Sequence, residues 1–340
     1  MTYRISVIEG DGIGPHIVGL TKQLLNFLAD KYGFTLEFAD APAGDKVKDE
    51  TGEALPQSSL KTILNSDACL KGPVGETARD VIVFLRQKLD LFANIRPFKT
   101  YDGIKSKWSN VDFVIVRENT EDLYKSVEDI GEDHGVALLV ITRKATERIA
   151  KTAFNMAMNR RRKVTIVHKA NVVLSYQFFR KVVYEVAENF KEVSIEDMYV
   201  DNAAYQMVIN PQNFDVILTP NLFGDILSDE AAGIVGTIGI AGSANIGEKY
   251  GLFEPVHGSA PTLDPEMANP IAQITAAKMM MEWLGNKKND KNILYAAQTL
   301  WRAVENILNE GKILTPDLGG SYKCSEFINE LRKEIEELEK

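Results

Sequence analysis

At 340 residues the chain is long enough for one large domain or two ordinary ones, and it buries a sizeable core either way without disulfide or metal staples. Its 45% hydrophobic and 26% charged residues exclude a disordered or fibrous chain. A net charge of −9 argues against a nucleic-acid-binding surface, and no apolar run reaches the ~20 residues of a membrane span.

Arg4 to Ile8 is a β-branched run ending in Glu9-Gly10-Asp11-Gly12-Ile13-Gly14-Pro15, after which apolar residues recur at helical spacing through Leu28. A strand pattern this close to the N-terminus leaves no room for a signal peptide. Similar β-type runs at 68–70, 113–116, 164–167 and 216–218 alternate with helical stretches such as Lys144 to Met158 and Tyr176 to Asn189. That alternation predicts an α/β fold with largely parallel pairing. Gly131 to Val140 reads as extended, a hairpin arm. Ser325 to Lys340 reads as an amphipathic helix burying Phe327, Ile328, Leu331, Ile335 and Leu338. The two cysteines, Cys69 and Cys324, form no metal-spaced pair, which fits a reducing, cytoplasmic setting. The basic run Arg160-Arg161-Arg162-Lys163 reads as a solvated helix end.

The loop at 10–14 has two readings: a phosphate cradle at a helix N-terminus, or a tight turn. The last glycine of the dinucleotide fingerprint is missing, and no acid clearly ends the second strand to hold a ribose. Arg86, Arg96 and Arg117 each follow apolar residues. A guanidinium leaving the core needs a partner, either a structural acid or the carboxylate of a bound molecule. Lys169 in His168-Lys169-Ala170-Asn171 leaves a strand as a surface cation or as a proton-transfer group. Asp225 and Asp229 are four residues apart on one helix face, where like charges repel. Either a hard divalent cation lies between them, or they are acids complementing the helix dipole. Asp201 stands at the end of another strand and could complete a metal site. His257 lies in the small-residue loop Glu254-Pro255-Val256-His257-Gly258-Ser259-Ala260-Pro261, against a flat ligand or in a structural hydrogen bond.

In chain order, Gly10 to Pro15, Ala93 to Pro97, Val116 to Glu121, His168 to Asn171, Gly224 to Asp229 and Glu254 to Pro261 resemble the motifs of the isocitrate/3-isopropylmalate dehydrogenase family. The resemblance runs from end to end of the chain. It implies an isopropylmalate dehydrogenase-like α/β fold, not the ordinary Rossmann fold, with the active site in an interdomain cleft. A large coenzyme-binding domain would comprise residues 1–98 and 251–340, and a small domain with a dimer arm residues 99–250. It further implies an obligate homodimer, which could pair into a tetramer, whose sites borrow Lys169 and Asp201 across subunits. Arg86, Arg96 and Arg117 would clamp the two carboxylates of a malate. Asp201, Asp225 and Asp229 would hold Mg²⁺ or Mn²⁺, and Lys169 and Tyr124 would move protons. Glu254, His257, Gly258, Ser259, Ala260 and Asn269 would embrace the adenosine half of the coenzyme. Neither a nucleic acid nor a membrane is implied as a partner.

Arg79, Ile82, Val83 and Arg86 fall at i, i+3, i+4 and i+7, so an α-helix would align them on one face. The aliphatic Ile82 and Val83 suit an isopropyl tail, hence 3-isopropylmalate. Arg79 suits a third carboxylate, hence isocitrate, homoisocitrate or several of these acids. Thr262-Leu263 replaces the Lys-Tyr pair of NADP-dependent relatives, which favours NAD, although Asp264 comes two residues late to read the ribose. A non-catalytic regulatory homologue would lack some of these ligands, and here all are present.

Overall fold

The computed structural model describes residues 1–339. The strands in chain order are β1 (Thr2–Ile8), β2 (Thr35–Asp40), β3 (Ala68–Lys71), β4 (Ala93–Lys99), β5 (Asp112–Glu118), β6 (Glu128–Ile130) and β7 (Gly135–Ala137). They continue with β8 (Lys163–His168), β9 (Ser194–Tyr199), β10 (Val216–Thr219), β11 (Gly242–Ile246) and β12 (Gly251–Pro255). Ten of them make one sheet in the order β2-β1-β3-β12-β11-β4-β5-β10-β8-β9.

Two parallel flanks, β2-β1-β3-β12 and β5-β10-β8-β9, are joined by β11 and β4, which run antiparallel to their neighbours. Parallel strands must be covered on both faces, and the sequence obliges. Most of β1, β3, β5, β8 and β10 is buried, as short apolar runs predict. Helix Ile271–Lys288 is covered nearly all round, with eleven buried positions, and packs on β11 and β12. Helix Arg143–Met158 packs on β5 and β10 with Ile149, Ala150, Ala153, Phe154 and Ala157. The C-terminal helix, Cys324–Glu337, buries Phe327, Ile328, Leu331 and Ile335.

β6 and β7 form the expected hairpin, which projects Ile130, Val136 and Leu138 into solvent. The basic run at 160–163 is neutralised by Asp112, Asp215, Glu192 and Glu196. Among the described residues no helix is long and apolar enough to cross a membrane.

The glycine loop takes the tight-turn form. A Cβ on Gly10 would lie 1.9 Å from the Pro73 carbonyl oxygen, and one on Gly12 2.0 Å from that of Ser259. Both glycines have positive φ and press against the protein's own backbone, so the loop offers no open cradle. β2 ends in Asp40, the acid the sequence pattern left unplaced, which lines a cavity beside Gly10 and Pro15.

Candidate active site

One row of residues crosses the middle of the sheet. In register, Asn245 on β11 faces Asn94 on β4, which faces Arg117 on β5, which faces Thr219 on β10. Directly opposed residues share a face, and two residues along the strand returns to it. Arg96 and Glu254 therefore join the same face. Every member of this group is at most 6% exposed, so each polar atom needs a partner inside the protein.

Asn245 is the hub. Its Oδ1 accepts from Arg86 Nε at 3.0 Å, Asn94 Nδ2 at 2.7 Å and Asn119 Nδ2 at 2.9 Å. Its amide donates to Glu254 at 2.9 Å. Glu254 also accepts from Arg86 Nη2 at 3.1 Å and Lys71 Nζ at 2.8 Å. Arg96 Nε donates to Asn94 Oδ1 at 2.8 Å and its Nη1 to Ser228 Oγ at 2.5 Å. Each arginine is thus fixed through neutral amides or buried acids. Burial would raise the Glu254 carboxyl, but Lys71 and Arg86 overcome it and hold the group down to about 2.

Helix Asn221–Val235 lies over this face. Gly224 makes the approach possible, because a Cβ there would sit 2.6 Å from Arg117 Cγ. Asn221 Oδ1 accepts from Arg117 Nε at 2.9 Å, and Asp225 meets Arg117 Nη1 at 2.5 Å and Arg96 Nη1 at 3.7 Å. The Tyr124 hydroxyl donates to the other Asp225 oxygen at 2.6 Å. Burial opposes ionisation of Asp225, but Arg117, Arg96 and Tyr124 win and set it at about 2. One turn on, Asp229 is raised instead, by burial and by the charge of Asp225. Burial beside Arg117 and Arg86 pulls Arg96 down to about 9. Nη2 of Arg117 is buried with no partner at all. A cluster of buried cations with an open donor is built to receive an anion.

The structure thus gathers Arg86, Arg96, Arg117, Tyr124 and Asp225, with Asp229 one turn away. Lys169 and Asp201 pair with each other at 2.6 Å, with 28% and 67% of their side chains exposed, and no contact joins them to that cluster. Among the described residues no three acids or histidines converge as a metal cage. The donors within one chain are the two helix carboxylates, hard oxygens whose mutual repulsion a divalent cation relieves.

Two expectations need correction. The stripe Arg79, Ile82, Val83 and Arg86 is not regular α-helix, because residues 79–83 form a π-turn before Phe84–Lys88. Ile82 is buried in a cluster with Val81 and Leu85, while Arg79 stands exposed with Glu128 of β6 at 2.9 Å. Glu254 does not line the cavity formed by the other expected coenzyme residues; Lys71 and Arg86 hold its carboxylate beneath the loop. Of the other expected coenzyme residues, His257, Gly258, Ala260 and Asn269 line a cavity of about 820 Å³, with Asp317 and Leu263 among its walls. Ser259 is buried behind it, its carbonyl accepting from Ile13 N at 3.0 Å. Nε2 of His257 is buried and unpartnered.

Sequence reading missed Lys71, Asn94 and Asn245. The available signal was a polar residue within or closing an apolar strand, costly unless paired.

Comparison with known proteins follows the same lines. The family model described as isocitrate/isopropylmalate dehydrogenase matches residues 4–331. The 3-isopropylmalate dehydrogenase of Sulfurisphaera tokodaii is 47% identical over 98% of this chain and 100% of its own length. The 3-isopropylmalate/3-methylmalate dehydrogenase of Methanocaldococcus jannaschii is 48% identical over 98% and 99% respectively. The crystal structure of isocitrate dehydrogenase from Methylococcus capsulatus superposes with a TM-score of 0.90 at 38% identity, covering 98% of this chain and 99% of that one.

Proposed function

The chain belongs to the isocitrate/isopropylmalate dehydrogenase family, and from that premise we propose that it oxidises and decarboxylates 3-isopropylmalate with NAD and a divalent metal, as in leucine biosynthesis. The observation that carries the reading is the unpartnered Arg117 Nη2 among three buried guanidinia, a site short of anionic acceptors. The two carboxylates of a substituted malate supply them. In this reading residues 1–98 and 251–340 form the coenzyme-binding domain, residues 99–250 the smaller one, and the reaction takes place in the cleft between them.

Asp225 and Asp229, joined by Asp201 of a second copy in a homodimer, would hold Mg²⁺ or Mn²⁺, which supplies Lewis acidity toward the 2-hydroxyl and the developing enolate. His257, Gly258, Ala260 and Asn269 would hold the nicotinamide coenzyme, which takes up the hydride from C2. The remaining work falls to this chain's side chains. Arg86, Arg96 and Arg117 fix both carboxylates and so orient C2, with the network through Asn245 preventing the guanidinia from swinging away. Lys169, which reaches the site from the second copy together with Asp201, would take up the hydroxyl proton, its amine oriented by Asp201 at 2.6 Å. As C3 loses CO₂, the bonding pair stays on the carbon skeleton, and Tyr124 returns a proton to C3. Burial and the neighbouring Asp225 raise the Tyr124 phenol, which keeps it protonated for that role.

Arg79 supports a second reading. Its exposed guanidinium at the end of the π-turn can meet the third carboxylate of isocitrate or homoisocitrate. A comparison of kcat/KM for 3-isopropylmalate, isocitrate and homoisocitrate, each with NAD and NADP in Mg²⁺, decides between them. Highest efficiency on 3-isopropylmalate with NAD is expected. Equal efficiency on all three acids overturns the assignment.

A further inference from the structure

His168 is the buried titratable residue next to the Lys169–Asp201 pair. It closes β8, is 1% exposed and immediately precedes Lys169. In register it faces Tyr199, the last residue of β9, two positions before Asp201. The rings of His168 and Tyr199 meet edge to face with centroids 5.8 Å apart.

Both ring nitrogens are engaged, and their partners assign the tautomer. Nδ1 accepts from Ala170 N at 3.2 Å and so carries no proton, which leaves Nε2 to donate to its own partner, the Asp197 carboxylate. Arg180 on helix Leu174–Ala187 holds Asp197 in turn, its Nε donating to Oδ2 at 2.5 Å. Burial lowers the imidazole below its ordinary range despite Asp197, which keeps it in this neutral form.

The bond to Ala170 N spans Lys169, so the ring reaches past the lysine and grips the peptide that follows it. The Lys169 carbonyl accepts from Val172 N at 3.1 Å and Val173 N at 3.0 Å, and the Ala170 carbonyl accepts from Gln177 Nε2 at 2.8 Å. The backbone that launches Lys169 is thereby fixed, although 28% of the lysine side chain is exposed. Through Asp197 and Tyr199 the same ring also ties the end of β8 to β9, which leads into Asp201.

We infer that His168 is a positioning residue for proton transfer, aiming Lys169 and setting its place beside Asp201, on the reading that this pair serves the site of a second copy. A base works only when its nitrogen lies within hydrogen-bond reach of the proton it takes, and a displacement of about 1 Å can cost a hundredfold in rate. The proton of the imidazole itself stays with Asp197.

Three substitutions in the full-length enzyme test this. His168→Leu removes both ring bonds and is expected to lower kcat about ten- to a hundredfold, with KM for 3-isopropylmalate and NAD within about twofold of normal. His168→Asn puts an acceptor where Nδ1 stood, in the geometry of an Asx turn, and should restore kcat to within about threefold of normal. His168→Gln reaches Asp197 without capping Ala170 N and should not restore it. Gln restoring where Asn fails makes His168 a structural partner of Asp197 alone and overturns the inference, as does a loss that lies in KM with kcat unchanged. Should His168→Leu fold poorly, the order of Asn and Gln still decides. Subunit mixing through denaturant separates the inference from the reading beneath it. His168→Leu should regain activity with Asp225→Asn and none with Lys169→Met, because His168 and Lys169 act on the same, second copy's site. The opposite result in either mixture overturns the role of His168, provided Lys169→Met and Asp225→Asn complement each other. If those two do not, it is the shared site that fails.

Discussion

The buried arginine cluster and the Lys169–Asp201 pair are both built from charged residues, yet they are opposites in construction. Arg86, Arg96 and Arg117 are at most 7% exposed and are held by residues from several strands and a helix. Lys169 follows β8 and Asp201 opens the helix after β9, where each is the other's partner. A buried charge must be fixed by its own fold, because every missing hydrogen bond costs stability. An exposed pair can stay mobile and accessible, and an ion pair in water contributes little to stability. The first arrangement is complete within one chain. In the proposed homodimer the second would be delivered into another.

The sharpest way to break that contrast is subunit complementation. In the homodimer proposed above, the Lys169→Met and Asp225→Asn proteins are each expected to lose about 10³-fold or more in kcat. A mixture of the two, exchanged through denaturant, should regain up to about a quarter of normal activity, since a heterodimer assembles one intact site of two. No recovery on mixing would place Lys169 and Asp225 in the same subunit's site.

A second, smaller effect tests the buried side. Lys71→Met leaves the Glu254 carboxylate with Arg86 as its only charged partner and should destabilise the fold by about 3 kcal/mol in urea unfolding at pH 7. The pH dependence carries a sign. Folded Glu254 stays ionised down to about 2, whereas its unfolded counterpart protonates near 4.5, so unfolding takes up a proton between those values. That stabilisation is fully present above pH 4.5 and is lost as pH falls toward 2. The Lys71→Met protein should show a flatter acid limb over that window. An unchanged limb would mean that Lys71 does not set the Glu254 carboxyl.

The smallest effect concerns Arg79, which belongs by exposure with the second region. Arg79→Ala should leave the melting temperature within a degree or two, because a surface pair with Glu128 is worth less than about 1 kcal/mol. Any residual turnover of isocitrate or homoisocitrate should fall severalfold while 3-isopropylmalate turnover holds. Equal loss on all substrates would give Arg79 a structural role.

The same division governs what could be read from the sequence. The strand runs at 113–116, 164–167 and 216–218 and the C-terminal helix are local patterns, and the fold places them as expected. Asp225 and Asp229 were visible as a pair because helical spacing is also local. Lys71 and Glu254 are 183 residues apart and meet only because β12 inserts beside β3, so no spacing rule could join them. The π-turn at 79–83 escaped for a related reason. Arg79-Asp80-Val81-Ile82-Val83 carries no proline or glycine to mark it, and only the fold shows the segment leaving α geometry where Val81 and Ile82 are buried.

The insertion of β12 between β3 and β11 has a consequence for how the protein is made. During synthesis β1, β2 and β3 emerge within the first 71 residues and can pair with one another. The free edge of β3 then waits until residue 255 has left the ribosome, some 180 residues later. At ordinary translation rates of about 5–20 residues per second that is a delay of roughly ten to thirty-five seconds. For that interval the nascent chain exposes an unpaired apolar edge carrying Lys71, a cation that later meets Glu254. A charge at the end of such a strand discourages edge-to-edge pairing between nascent chains, so the lysine that anchors the finished site also guards the unfinished one.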